Sequence, residues 1–266
     1  MRRFLLAVVM FGTAAGAQAA DLPDFLHGSL PAGPVNWQGF YVGGQGAIGE
    51  SDMNFTASTQ SVAAKLLAGT ALDESGQVSS LPVGGKVSTR GTGFGGFVGY
   101  NSQWDSVVVG LEFSYLHGNF GGAQSDSASR SFTDSLGYLD NITYQSNSSI
   151  AISDMATFRA RAGYAVGIFL PYMFGGVALG EADIVRTANI TGSQSNPVLN
   201  PPFIPVDLTG TAGQFSHLIY GYSGGLGVDM MLMSCLFLRA EWEYVRFTSA
   251  IDTDVNTFRV GLGYKF

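Results

Sequence analysis

The chain has 266 residues, of which 12% are charged, 12% are aromatic and 37 are glycine, and its formal net charge is −7. Few charges together with many glycines and aromatic residues indicate an all-β chain. The acidic balance argues against a nucleic-acid partner, and a single cysteine, Cys235, excludes an intramolecular disulfide.

The N-terminus has the features of a secretory signal peptide. Two arginines precede the apolar run FLLAVVMF, which is followed by small residues and the triplet Ala17-Gln18-Ala19. The run is too short to span a bilayer as a helix, and the A-x-A triplet predicts cleavage after Ala19. We therefore expect a signal peptide over residues 1–19 and export of the remainder, which begins with a proline-containing periplasmic lead-in over residues 20–36.

Eight segments after this lead-in alternate apolar residues with small or polar ones, which is the period-two pattern of a β-strand. In the last segment, FRVGLGYKF, every second residue from Phe258 to Phe266 is apolar. In the fifth segment both faces are apolar. The predicted strands are residues 37–49, 93–101, 106–116, 155–164, 169–180, 221–231, 235–245 and 258–266.

The predicted connections between these strands alternate in length. Tight turns are predicted at residues 102–105, 165–168 and 231–234, long polar loops at 52–90, 117–153 and 181–215, and a shorter loop at 247–255. Short turns at one end, long loops at the other and an even strand count are typical of outer-membrane barrels. The sequence predicts an eight-stranded antiparallel up-and-down transmembrane β-barrel over residues 37–266, with long extracellular loops and both termini in the periplasm. A soluble secreted β-sandwich is the alternative fold.

The charged residues of the predicted strands all share the face that carries the small residues. In a barrel this face lines the lumen and the aliphatic and aromatic face meets lipid, where an Arg or Lys at the midplane costs about 2–4 kcal/mol. Because unpaired buried charges are strongly destabilising, we predict an Arg–Glu network that fills the lumen; a charged pore constriction is the alternative. The predicted lumen charges are Glu112, Arg159, Arg161, Asp229, Arg239, Glu241, Glu243, Arg259 and Lys265.

Two histidines are predicted to lie near the extracellular rim. His117 begins the second long loop and His217 follows the third. They are candidates for capture of a haem or a metal ion. The sequence around them lacks the pairing of a nucleophile with a base that a hydrolytic enzyme needs, so we expect no enzymatic activity and assign no cofactor.

Short motifs along the predicted strands stand in a characteristic order. They are ADLP after the signal peptide, Trp37-x-Gly39-Phe40-Tyr41-Val42-Gly43, Gly99-Tyr100-Asn101-x-Gln103, Gly110-Leu111-Glu112, Arg159-x-Arg161-x-Gly163-Tyr164, Gly175-Gly176-x-Ala178, Arg239-Ala240-Glu241 and Gly261-x-Gly263-Tyr264-Lys265-Phe266. With these motifs the chain resembles the small outer-membrane β-barrel family of alphaproteobacteria, the outer-membrane immunogenic or porin-like proteins. The resemblance implies an abundant, surface-exposed envelope protein that supports outer-membrane integrity. Some members of the family are porin-like or haem-binding, which leaves a narrow diffusion channel and a haem-binding surface protein as alternatives.

The resemblance also implies an assembly signal at the C-terminus. A terminal aromatic residue on the last strand, here Phe266 with Tyr264 before it, is similar to the signal that the outer-membrane assembly machinery recognises in its clients. We therefore expect this machinery as a partner, together with outer-membrane lipid and lipopolysaccharide. The sequence leaves the oligomeric state open.

Overall fold

A computed structural model describes residues 35–74, 78–199 and 201–266. The predicted signal peptide over residues 1–19, and the predicted lead-in over residues 20–36 apart from its last two residues, lie outside the described residues. The described residues form eight β-strands and two short helices. Neither of these two helices has the length and apolar character needed to cross a membrane.

The eight strands form one closed antiparallel barrel in which each strand pairs with the next along the chain. The strands are β1 (Gly39–Asn54), β2 (Lys86–Trp104), β3 (Val107–Thr133), β4 (Leu139–Tyr164), β5 (Phe169–Ser195), β6 (Phe203–Met231), β7 (Leu236–Thr248) and β8 (Asp252–Lys265). The helices α1 (Gln60–Leu67) and α2 (Ala71–Glu74) lie between β1 and β2. β1 pairs with β8, from Tyr41 opposite Lys265 to Asn54 opposite Asp252. This closure leaves the barrel wall without an open sheet edge, and the predicted fold class is confirmed.

The two ends of the barrel differ. At the short-turn end lie Lys265 at the close of β8 and the connections 105–106, 165–168 and 232–235. At the opposite end, called the far end below, β3 to β6 are 26 to 29 residues long, whereas β7 and β8 have 13 and 14 residues. Four strands therefore extend well beyond the others.

The predicted long loops are wrong in their internal structure. Residues 117–153 are mostly strand that reverses at 134–138, and residues 181–215 are mostly strand that reverses at 196–202. The outward face of these extensions carries Ser, Thr and Asn instead of apolar residues, so the outward apolar pattern that predicted the strands stops short of them. Only residues 249–251 connect β7 to β8, and the predicted loop 52–90 contains both helices.

The outer wall of the barrel is an apolar belt. Phe40 is 64% exposed, Ile48 is 62% exposed and Phe94 is 68% exposed, and each points away from the lumen as the alternation predicted. Contiguous exposed apolar surface on this scale marks contact with another apolar phase. Together with the closed barrel, the belt identifies the surface that meets the hydrocarbon of a bilayer.

The lumen is filled from end to end by side chains. An aromatic cluster that includes Trp37 and Phe237 packs at the short-turn end, and an aliphatic cluster that includes Met53, Phe120 and Ile152 packs toward the far end. Charged residues occupy the space between the two clusters. An eight-stranded barrel has an interior just wide enough to be filled in this way.

The extended parts of β3 to β6 form a four-stranded sheet beyond the barrel. Its inward face packs against α1 and the segment that follows it, and together they form the far-end domain. Leu67 and Val83 from the covering segment contact a core that includes Ile142, Tyr144 and Ile190 from the sheet. This apolar core is separate from the two clusters in the lumen.

Candidate functional site: a charged cluster inside the barrel

The structure brings together eight of the nine predicted lumen charges. They come from five strands, β3, β4, β6, β7 and β8, and each of these residues is at most 3% exposed. They are Glu112, Arg159, Arg161, Asp229, Arg239, Glu241, Glu243 and Arg259. Four cations face four carboxylates, so the group, called the lumen cluster below, is balanced in formal charge.

Arg159 lies at the centre of the lumen cluster. Its guanidinium pairs with Glu112, lies 2.7 Å from a carboxylate oxygen of Glu241 and 3.4 Å from one of Glu243. The guanidinium carbon also lies 4.0 Å from the centroid of the Phe174 ring. One arginine therefore connects carboxylates from β3 and β7 across the lumen.

Two further arginines share the same two carboxylates. Asp229 accepts hydrogen bonds from Arg161 at 2.7 Å and from Arg239 at 2.9 Å. Glu112 accepts from Arg239 at 2.8 Å and from Arg161 at 3.3 Å. Arg259 pairs with Glu243 on the far-end side of the cluster. Since each arginine has at least one carboxylate partner, the cost of removing these charges from water is offset within the protein.

Two tyrosines that sequence reasoning did not assign complete the lumen cluster. Tyr41 donates to Glu112 at 2.6 Å, and Tyr172 donates to Glu241 at 2.6 Å and to Asp229 at 3.1 Å. Their rings line the cluster as well, because the guanidinium carbon of Arg161 lies 3.7 Å from the ring centroid of Tyr172. The available signal was a tyrosine of inward parity on a strand that adjoins charge-bearing strands, β1 beside β8 and β5 between β4 and β6.

Glycines on neighbouring strands make room for these two rings. A Cβ atom at Gly99 would collide with the Tyr41 hydroxyl, and one at Gly227 would collide with the Tyr172 ring. These two inward-facing glycines provide the space in which aromatic donors reach the carboxylates. The lumen cluster therefore depends on these glycines as well as on its charged residues.

The structure places Lys265, the ninth predicted lumen charge, outside the lumen cluster. Its side chain shares the inward parity, but it lies at the last position of β8, where the lumen opens. The ammonium donates to the backbone carbonyl of Gln38 at 3.2 Å in an exposed position. At the rim, a backbone carbonyl oxygen takes the place of a buried carboxylate.

The two candidate histidines lie on different parts of the wall. His117 is on β3 with its Nδ1 atom 2.9 Å from Asp154, and His217 is on β6 opposite Ala182. Two strands, β4 and β5, separate them. Among the residues that the structure describes, no group of three or more His, Cys, Asp or Glu side chains is arranged to hold a metal ion. The structure therefore does not bring the predicted haem or metal rim together.

The predicted assembly signal lies at the short-turn end. The rings of Tyr264 and Phe266 are in edge-to-face contact, with centroids 5.1 Å apart. The backbone N–H of Phe266 donates to the carbonyl of Phe40 at 2.9 Å, and its side chain is 72% exposed. The last residue is thus held by β1 while its ring remains accessible.

Comparison with known proteins decides the family. The chain matches the family model of the outer membrane protein beta-barrel domain over residues 4–266. It belongs to this family. The chain is 26% identical over 172 residues to the 25 kDa outer-membrane immunogenic protein of Brucella ovis, which covers 65% of this chain and 62% of that protein. It is 23% identical over 248 residues to the 22 kDa outer membrane protein of Rhizobium leguminosarum bv. viciae, covering 89% of this chain and 80% of that protein.

Solved structures of other outer-membrane barrels align with this member of the family. The attachment invasion locus protein Ail of Yersinia pestis aligns with a TM-score of 0.39 and 12% identity, covering 86% of this chain and 99% of Ail. The outer membrane protein OprG of Pseudomonas aeruginosa aligns with a TM-score of 0.35 and 14% identity, covering 86% of this chain and 96% of OprG. The expected resemblance to alphaproteobacterial outer-membrane proteins is confirmed by the two sequence relatives. The protein is an outer-membrane β-barrel whose lumen is filled by an Arg/Glu network.

Proposed function

We propose that this protein is a non-conducting structural barrel that supports the integrity of the outer membrane and displays its far-end domain on the cell surface. The observation that carries the proposal is the lumen cluster, which is paired, buried and lies between two apolar layers. A conducting pore needs hydrated charges along its path, whereas these charges are bonded to one another. The cluster therefore acts as a rigid connection among five strands.

The same proposal assigns the orientation and the partners. The short-turn end and both termini face the periplasm, because short turns lie on that side in barrels of this class. The far-end domain then lies outside the cell, and the belt contacts lipid and lipopolysaccharide. Tyr264 and Phe266 present the accessible ring that the assembly machinery would bind. No catalytic role is assigned, because the buried charged residues of the lumen cluster are paired with one another.

Single-channel recording in planar bilayers tests whether the barrel conducts. We expect no stable openings from the purified wild-type protein, since the cluster fills the cross-section. Stable wild-type openings with a conductance altered by Arg159→Ala or Glu241→Ala would favour the diffusion channel instead. Lys265→Ala is the matched control, because it removes a charge at the rim without touching the cluster.

A further inference from the structure

The outward face of the far-end sheet carries an unusual set of side chains. Four rows cross the four strands in register, and fourteen of the sixteen positions are Ser, Thr, Asn or Gln. The rows are Ser125-Asn147-Thr187-Thr211, Ser127-Gln145-Asn189-Thr209, Ser129-Thr143-Thr191-Asp207 and Ser131-Asn141-Ser193-Pro205. We call this set the polar array.

The polar array is nearly uncharged. A flat sheet face that meets only water usually carries charged residues, because charge keeps flat sheets from associating. Here Asp207 is the one ionisable residue among the sixteen positions. The composition therefore favours a face that contacts a neutral, hydrogen-bonding partner.

Hydrogen-bonding capacity remains free in the polar array. The hydroxyls of Ser129 and Thr143 lie 2.9 Å apart, and those of Thr187 and Thr211 lie 3.0 Å apart. Each hydroxyl has one donor and two acceptor sites, so these contacts use only part of its capacity. The face thus offers donors and acceptors together, as the hydroxyls of a sugar do.

β5 shows where the polar array lies relative to the lipid. Its odd-numbered residues face outward along the whole strand, and the register shifts at this height lie in β4 and β6. The outward series passes from Leu179 in the apolar belt through Glu181 and Asp183 to Thr187 in the array. The array is therefore the lateral continuation of the lipid-contacting wall, at the level just beyond the outer surface of the bilayer.

We propose that the polar array packs laterally against neutral sugar residues of the glycolipid that surrounds the barrel in the outer leaflet. The inference rests on the proposed function, since it places the far end outside the cell. The belt contacts the acyl chains of this glycolipid and the array contacts its saccharide, so one molecule is held at two heights. The sugar hydroxyls fill the hydrogen-bonding positions that the protein leaves open.

Amide hydrogen exchange in nanodiscs tests this contact. The full-length protein is placed in phosphatidylethanolamine nanodiscs that contain either intact lipopolysaccharide or lipid A, which lacks the saccharide. A saccharide bound to the folded sheet slows its opening, so we expect exchange in β5 residues 187–193 to be about tenfold slower with the intact glycolipid. Equal exchange in the two kinds of nanodisc would overturn the proposal.

A matched pair of variants assigns the effect to the polar array. Combined replacement Thr187→Val, Thr191→Val, Thr209→Val and Thr211→Val removes four hydroxyls while keeping β-branched residues that suit a strand. We expect this variant to lose the saccharide-dependent slowing and Thr248→Val, on β7 outside the array, to keep it. Slowing that persists in the array variant would overturn the proposal. Slowing that depends on the number of protein copies per nanodisc, and not on the saccharide, would also overturn it and would indicate a second copy as the partner.

The same samples separate this inference from the proposed function. Exchange in β7 and β8 reports the barrel itself, and we expect it to be slow in every sample. If the saccharide effect is absent while exchange in β7 and β8 stays slow, only the polar-array contact is contradicted. Failure of the proposed function would be seen instead as channel openings, which do not depend on the array.

Discussion

The barrel lumen and the far-end domain are two cores built in part on the same strands. In the lumen, charged residues pair in a fully enclosed space, because the closed wall supplies partners from every side. The far-end sheet is open, so its core is apolar and needs a covering segment, α1 and the residues after it. Hydroxyl contacts such as Thr59 with Tyr144 at 2.6 Å join the cover to the sheet. Closure of the wall, and not strand sequence alone, decides where buried charge is tolerated.

Breaking the lumen core should give the largest effect. Glu112→Ala removes the carboxylate that Arg159, Arg161 and Arg239 all contact, and removal of one partner from a buried pair costs about 3–5 kcal/mol. We expect a matching loss in the free energy of unfolding, measured by urea titration of the detergent-solubilised barrel with heated and unheated gels.

A double variant sharpens this result. Glu112→Gln combined with Arg239→Gln removes one charge of each sign, so it should be less damaging than Glu112→Ala. Lys265→Ala should leave the unfolding midpoint nearly unchanged. A Glu112→Ala protein as stable as the wild type would show that the lumen charges are solvated, contrary to their pairing.

Opening the far-end core should leave the barrel intact. Leu67 is fully buried in that core, and Leu→Ala in a core costs about 2–5 kcal/mol. We expect Leu67→Ala to make residues 55–85 sensitive to limited proteolysis while the heat-dependent gel shift of the barrel is retained. The exposed Leu136 in the turn between β3 and β4 provides the control, Leu136→Ala, which should remain resistant. Simultaneous loss of the gel shift would show that the two cores unfold as one.

The smallest expected effect is a pH dependence of the far-end domain. Burial raises the pKa of Asp140, and the nearby Asp134 raises it further, although a hydrogen bond from Gln194 opposes the shift. Because the pKa of Asp140 is higher in the folded state than in the unfolded state, the ionised carboxylate destabilises the fold at pH values above the folded-state pKa. This penalty disappears as the pH falls through the folded pKa toward the ordinary aspartate value.

Asp140→Asn should therefore raise the unfolding midpoint of the far-end domain slightly at neutral pH, because it removes a buried charge whose ionisation the fold disfavours. The difference from the wild type should vanish below the ordinary pKa of aspartate, near 3.9. Hydrogen exchange of β4 residues 139–145, compared between Asp140→Asn and the wild type at each pH, measures this difference in stability. A difference that grows on acidification would contradict the direction of the pKa shift.

Much of the barrel follows from the sequence because its two faces differ so strongly in chemistry. Phe40 and Tyr41 are adjacent, yet the alternation alone assigns the first to the outer wall and the second to the lumen. The charge of Arg159 predicts pairing inside a closed wall. The period-two signal persists in β4 beyond the membrane, where Ile142 and Tyr144 face inward, but the outward residues there are polar and hide it.

Other features need the three-dimensional structure. Lys265 has the parity of the lumen residues, and only its position at the open rim separates it from the cluster. The partners of Tyr41 and Tyr172 depend on the stagger between strands, which alternation does not specify. The cover formed by α1 is set by packing against the far-end sheet, because its eight residues are too few for a stable isolated helix.

The positions of two tryptophans relative to lipid test most directly whether an apolar belt surrounds a sealed lumen. Trp242 points outward in the belt and is 42% exposed, whereas Trp37 is 1% exposed inside the lumen. Variants in which Trp104 is replaced, and which retain either Trp242 or Trp37 as their one tryptophan, are reconstituted in vesicles with brominated acyl chains. We expect strong fluorescence quenching for Trp242 and little for Trp37. Equal quenching of the two, or an unquenched Trp242, would contradict a lipid-facing belt around a sealed, charge-paired lumen.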